Sequence, residues 1–158
     1  NLVTCAIAEE SGSSIRGPAS ANMTVGIAAT QELVSRDGMV QYGINTRTGP
    51  ICRTVKDVAK VLDVIAGYDP RDELTAFTKG RLPAEPYASF TDSSRLDGVR
   101  IGVVREYMHK KLFTKADEQS IDLVSAAVKD LQSLGATIVD PGEGDLFTAC
   151  IRRYAPQN

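Results

Sequence analysis

The sequence predicts an α/β fold: a mixed, mostly parallel sheet flanked by helices. Three observations carry that reading. Two segments repeat apolar residues with the 3.6 period of a helix lying on a core. Short β-branched runs at residues 99–104 and 136–139 enclose the second of them, the strand–helix–strand order of a βαβ unit. An apolar run at residues 2–8 ends in a turn of small residues, as a buried strand would.

The elements follow in chain order. Residues 2–8 read as a buried strand and residues 9–14, crowded with Gly, Ser and Glu, as a turn. Ile15-Arg16-Gly17-Pro18 opens a short helix with Pro in its first turn, where its missing N–H costs nothing. Residues 24–29 read as a second strand and residues 31–50 mostly as loop. The first long helix follows Thr54, with Asp57 three residues on as an approximate capping box, and Gly67 closes it. Its stripe is Val55, Val58, Ala59, Leu62 and Ile65. The second follows Thr114, again with an acid, Asp117, three residues on. Its stripe is Ile121, Val124, Val128 and Leu131, and Gly135 ends it. Between them, residues 68–97 with Pro70, Pro83 and Pro86 form a long loop, which suggests a binding loop or a cover.

Composition narrows the function. With 158 residues, 42% hydrophobic and 24% charged, the chain suits one soluble domain with a sizeable core. A net charge of −2, 6% aromatics and no Trp supply neither a basic field nor a stacking platform for nucleic acid. No apolar run approaches the ~18 residues of a membrane span. Cys5, Cys52 and Cys150 are odd in number, far apart and outside any CxxC pair. That argues against a disulfide scaffold or a zinc knuckle, and for a reducing, cytoplasmic setting. Cys5 reads as a small core residue. His109, the one His, leaves no multi-His metal site, and its neighbours Lys110 and Lys111 make it part of a solvated basic cluster. No metal and no cofactor is called for.

The stretch from Glu10 to Pro18 is the most informative. Small residues between a strand and a helix start can aim several backbone N–H groups at one point. Such a nest can hold the oxyanion of an acyl-transfer intermediate, and a Ser hydroxyl at its end can attack the carbonyl. Ser- and Gly-rich turns are also common as solvent-facing, helix-capping turns. The residues alone leave both readings open.

The stretch resembles the nucleophile segment of the amidase signature family, which carries Gly-Gly-Ser-Ile-Arg-x-Pro. Ile15, Arg16 and Pro18 fix the register. Further matches follow in order: Val25-Gly26-Ile27; Val34-Ser35-Arg36-Asp37-Gly38; Gly49-Pro50-Ile51-Cys52-Arg53-Thr54-Val55-Lys56-Asp57; the segment from Val99 to Glu106; and Leu134-Gly135-Ala136. The likeness runs from about residue 8 to residue 141. It implies hydrolysis of carbon–nitrogen amide bonds by a triad of Ser, a bridging Ser with a cis peptide bond, and a neutral Lys. It places the nucleophile at Ser14 and the oxyanion N–H groups at Ser11, Gly12 and Ser13. Two positions depart from the pattern: Ser13 stands at the second Gly, and Glu10 where Asp is more usual, a methylene longer and expected to loosen the turn.

In the family the Lys and the bridging Ser lie well upstream, whereas residues 1–13 contain no Lys and the resemblance places no bridging Ser among them. The chain therefore reads as the central part, residues 1–158, of one amidase-signature domain, with segments missing at both ends. Alone, it is expected to expose strand edges and apolar helix faces and to self-associate. Arg16 is a substrate contact or, with more weight, a structural ion pair. Thr46, Thr48 and Gly49 line an acyl pocket or merely connect elements. The expected partner is a small-molecule or peptide amide, with no nucleic acid and no membrane. The alternatives are a non-catalytic binding or assembly piece, and the glutaminase component of a tRNA-dependent amidotransferase.

Overall fold

The first of two units, Asn1–Asp92, is built on a three-stranded sheet in the order β1-β3-β2. These strands are β1 (Cys5–Glu10), β2 (Val25–Gly26) and β3 (Arg47–Cys52). The computed structural model describes residues 2–40, 43–92 and 95–142. Both pairings are antiparallel, and β1 runs against β3 from Cys5 opposite Cys52 to Glu10 opposite Arg47. A short helix, α1 (Arg16–Ala21), connects β1 to β2, and α2 (Val55–Ile65) follows β3.

Thr54 caps α2 as expected: its Oγ1 accepts the Asp57 N–H at 3.1 Å. Val58, Ala59 and Leu62 are buried, and Leu62 joins Ala29 and Val34 in a core lined by Ile27, Leu33, Ile65, Ala66 and Tyr87. Val55, the first residue of the expected stripe, stays exposed. The long segment after α2 is more ordered than a plain loop. It holds 3-10 turns at Glu73–Thr78 and Tyr87–Thr91. Asp72, fully buried, receives Arg36 Nε at 2.8 Å and Nη2 at 2.7 Å, as well as the Arg36 backbone N–H at 2.9 Å. That forked pair fixes the first of these turns to the chain before β3.

The second unit, Ser93–Asn158, contains β4 (Arg100–Gly102), α3 (Glu118–Ser133) and β5 (Thr137–Val139). β4 and β5 pair in parallel, Arg100 opposite Thr137, so the βαβ unit forms as predicted. The Thr114–Asp117 capping box is present, heading a 3-10 turn (Lys115–Asp117) that leads into α3. Gly135 ends the helix at φ 106°, where a side chain would be strained. Ile121 is buried but Val124 is half exposed. A cavity of about 430 Å³ runs along this face between Val103, Tyr107, Phe113, Ile121, Val124 and Val128.

Several expectations need correction. The α/β class holds, but among the described residues the strands form a wholly antiparallel three-stranded sheet and a separate parallel β4–β5 pair rather than one mixed, mostly parallel sheet. The strand near the N-terminus is shifted to Cys5–Glu10 and is only partly buried: among the described residues it is an edge strand, with Ala6 and Ile7 exposed and Glu10 buried. The second strand shrinks to Val25–Gly26, and β3 occupies a stretch read as loop. Cys5 and Cys52 are joined in a disulfide. They lie directly opposite with Cα atoms 4.3 Å apart, the closely spaced kind of antiparallel pair. Counting cysteines along a chain does not reveal such register, and the argument for a reducing compartment loses its basis. Among the described residues, no helix is long and apolar enough to cross a membrane.

Candidate active site

The turn between β1 and α1 is held from both ends by residues that flank Ser14. Glu10, the last residue of β1, is 1% exposed. Its Oε2 accepts the backbone N–H groups of Ile15 and Arg16, each at 3.0 Å, and its Oε1 accepts Arg16 Nε at 2.8 Å. Burial pushes the Glu10 carboxyl up, but the Arg16 and Ile15 amides and the Arg16 guanidinium outweigh it and hold the group below its ordinary value. The carboxylate thus serves as an acceptor for donors left open at the helix start. The longer side chain does not loosen the turn; it reaches across it.

Ile15 supplies the apolar anchor. It is fully buried, and two glycines make room for it. A Cβ on Gly26 would come within 3.1 Å of Ile15 Cγ2 and 2.9 Å of Ala19 Cβ. A Cβ on Gly49 would meet Ile15 Cδ1 at 3.4 Å and Ile27 O at 1.9 Å. The Val-Gly and Gly-Pro motifs therefore have a packing reason: α1 lies tightly on β2, and the Ile27 carbonyl approaches the β3 backbone.

Between these anchors Ser11, Gly12, Ser13 and Ser14 are all exposed. The hydrogen bonds of the turn engage Gly12 O, with Arg16 Nη2 at 2.6 Å, and Ser13 O, with Gly17 N at 2.7 Å. Among the described residues none engages the N–H of Gly12, Ser13 or Ser14. Ser13 does not adopt a positive φ, so its side chain is accommodated where the pattern has Gly. Arg16 is spent on the turn itself, on Glu10 and Gly12.

Of the residues before the Gly-Pro motif, Thr46 is brought to the turn: its Oγ1 lies 3.1 Å from Ser11 Oγ and accepts the Gly43 N–H at 3.3 Å. Arg36 Nη1 reaches Gly43 O at 3.2 Å, which ties this loop to the buried Arg36–Asp72 pair. Thr48 is buried within the sheet opposite Glu9, and its hydroxyl has no hydrogen-bond partner among the described residues. The structure thus joins Thr46 to the turn through Ser11, but not Thr48. Sequence reasoning underrated Glu10 as an anchor; an acid just before a turn into a helix start is the signal that could have found it.

With this geometry in place, comparison with known proteins is decisive for the family, since the amidase family profile matches residues 1–148. The chain belongs to the amidase family. It is 43% identical over 134 residues to a glutamyl-tRNA(Gln) amidotransferase subunit of Rippkaea orientalis, covering 84% of this chain and 26% of that protein. It is 42% identical over 108 residues to a probable amidase of Arabidopsis thaliana, covering 68% and 21%. Among solved structures, the native peptide amidase of Stenotrophomonas maltophilia superposes with a TM-score of 0.70 at 31% identity, over 92% of this chain and 28% of that one. The corresponding glutamyl-tRNA(Gln) amidotransferase subunit of Thermotoga maritima gives 0.67 at 28% identity, over 87% and 29%. This amidase-family chain spans about a quarter of the length of the curated relatives it matches.

Proposed function

We propose that this segment supplies the nucleophile and the oxyanion cradle of an enzyme that hydrolyses carbon–nitrogen amide bonds, and that both units belong to one amidase-signature domain. The observation that supports it is the turn: an exposed serine, Ser14, follows backbone N–H groups that are not tied into sheet or helix, between two buried anchors. Ser14 Oγ attacks the amide carbon as its proton passes to a base. The carbonyl π pair moves onto oxygen, and the N–H groups of Gly12 and Ser13, just ahead of Ser14, stabilise that charge. The C–N bond then breaks, the amine leaves with a proton, and water releases the acyl group from Ser14. The bridging Ser and Lys base of the family pattern match no position in this chain.

A fluorophosphonate probe tests this. Its phosphorus should form an adduct on Ser14, mapped by mass spectrometry to the peptide ending at Arg16. The adduct should disappear in Ser14→Ala and persist in Ser13→Ala. An adduct that survives Ser14→Ala would overturn the assignment, as would none at all once the Lys and bridging Ser of the family pattern are supplied. The likeness to glutamyl-tRNA(Gln) amidotransferase subunits favours glutamine as a second candidate substrate class. Ammonia release from glutamine, set against release from a peptide C-terminal amide, separates it from the peptide amidase reading.

A further inference from the structure

We infer that the Cys5–Cys52 disulfide is a redox latch on the strand that positions the Ser14 turn. The inference rests on the proposed role of Ser14 for its functional consequence, though not for its structural one. β1 is an edge strand whose one partner among the described residues is β3. Its C-terminal end, at Glu10, holds the turn through the Ile15 and Arg16 amides. Its other end, at Cys5, is bonded to Cys52 in the central strand. One covalent bond thus closes a chain segment with a sequence separation of 47, inside which the whole turn lies. The bond is also approachable. Cys52 is buried, Cys5 is half-buried, and a cavity of about 190 Å³ is walled by both cysteines together with Leu2, Thr4, Pro18 and Ile51.

A dithiol reductant completes the chemistry. Its thiolate attacks Cys5 Sγ, the S–S bond breaks, and Cys52 leaves as a thiolate that takes up a proton. The second thiol of the reductant then displaces Cys5 from the mixed disulfide. Two electrons and two protons reach the protein, and the reductant departs as a disulfide. β1 is then held by backbone pairing on one side alone, so its turn opens more often.

The experiment compares the 158-residue chain with and without dithiothreitol. In denaturant, iodoacetamide should modify neither Cys5 nor Cys52 before reduction and both after it. Hydrogen exchange across residues 5–16 should accelerate about tenfold or more on reduction. The Cys5→Ala/Cys52→Ala chain should exchange like the reduced protein and ignore dithiothreitol. Modification of Cys5 and Cys52 before reduction would overturn the latch. So would unchanged exchange after reduction, or a double variant that still responds. Fluorophosphonate labelling of Ser14 should fall with reduction. Absence of labelling in both states even when the Lys and bridging Ser of the family pattern are supplied, with the exchange response intact, would sink the hydrolase reading and leave the latch standing.

Discussion

Removing the Glu10 carboxylate should dismantle the turn more than any other single polar change. Glu10→Ala strips the acceptor from two amide N–H groups, the buried one of Ile15 and the partly buried one of Arg16. Each N–H left unpaired costs about 1–3 kcal/mol. The Arg16 guanidinium is 65% exposed and rehydrates, so its share is below about 1 kcal/mol. The expected loss is about 2–7 kcal/mol, a large part of the ~5–15 kcal/mol that holds a typical domain. Glu10→Gln keeps the volume and one acceptor oxygen and should lose only about 1–2 kcal/mol. Urea unfolding gives both numbers, and hydrogen exchange at Ile15 and Arg16 locates the damage. The folded carboxyl lies below its ordinary 4.5. Its contribution is therefore fully present above that pH and is lost as the pH falls through the folded value. Wild type should lose stability below pH 4.5 faster than Glu10→Gln does. A Glu10→Ala midpoint indistinguishable from wild type would refute this account of the turn.

Ile15→Ala should cost about 2–5 kcal/mol in thermal or urea unfolding, since it empties a fully buried site between Gly26 and Gly49. Gly49→Ala, whose Cβ would lie 1.9 Å from Ile27 O, should lose about 3 kcal/mol or more, or fail to fold. Gly12→Ala meets nothing within 4 Å at a residue without positive φ, and should change the unfolding free energy from urea titration by less than about 0.5 kcal/mol. Arg36→Met takes the guanidinium away from the buried Asp72 carboxylate, leaving it only neutral backbone donors such as the residue 36 N–H, and should cost about 3–5 kcal/mol by urea unfolding.

The elements legible in the sequence were those written by local rules. Thr54 with Asp57 and Thr114 with Asp117 announce helix starts because the capping partners lie three residues apart on the same chain. The β4–α3–β5 unit was visible because β-branched runs enclose a 3.6-period stripe. β3 was missed because Gly49 and Pro50 look like loop residues. In the fold they serve a central strand, where Gly49 admits the Ile27 carbonyl and Pro50 O accepts the Ile27 N–H at 3.1 Å. The motif around Ser14 was legible as a resemblance, but the part Glu10 plays in it was not.

The sequence by itself determined the family, the α/β class and the position of the serine-bearing turn, because each is encoded in residues close together along the chain. Only the tertiary structure decided that Cys5 faces Cys52, that Thr46 reaches Ser11 while Thr48 is buried in the sheet, and that Arg36 pairs with Asp72. Each depends on strand register or on contacts between residues more than thirty positions apart. Such contacts arise when the chain packs its apolar residues and satisfies its buried polar groups together, which no short window of sequence specifies.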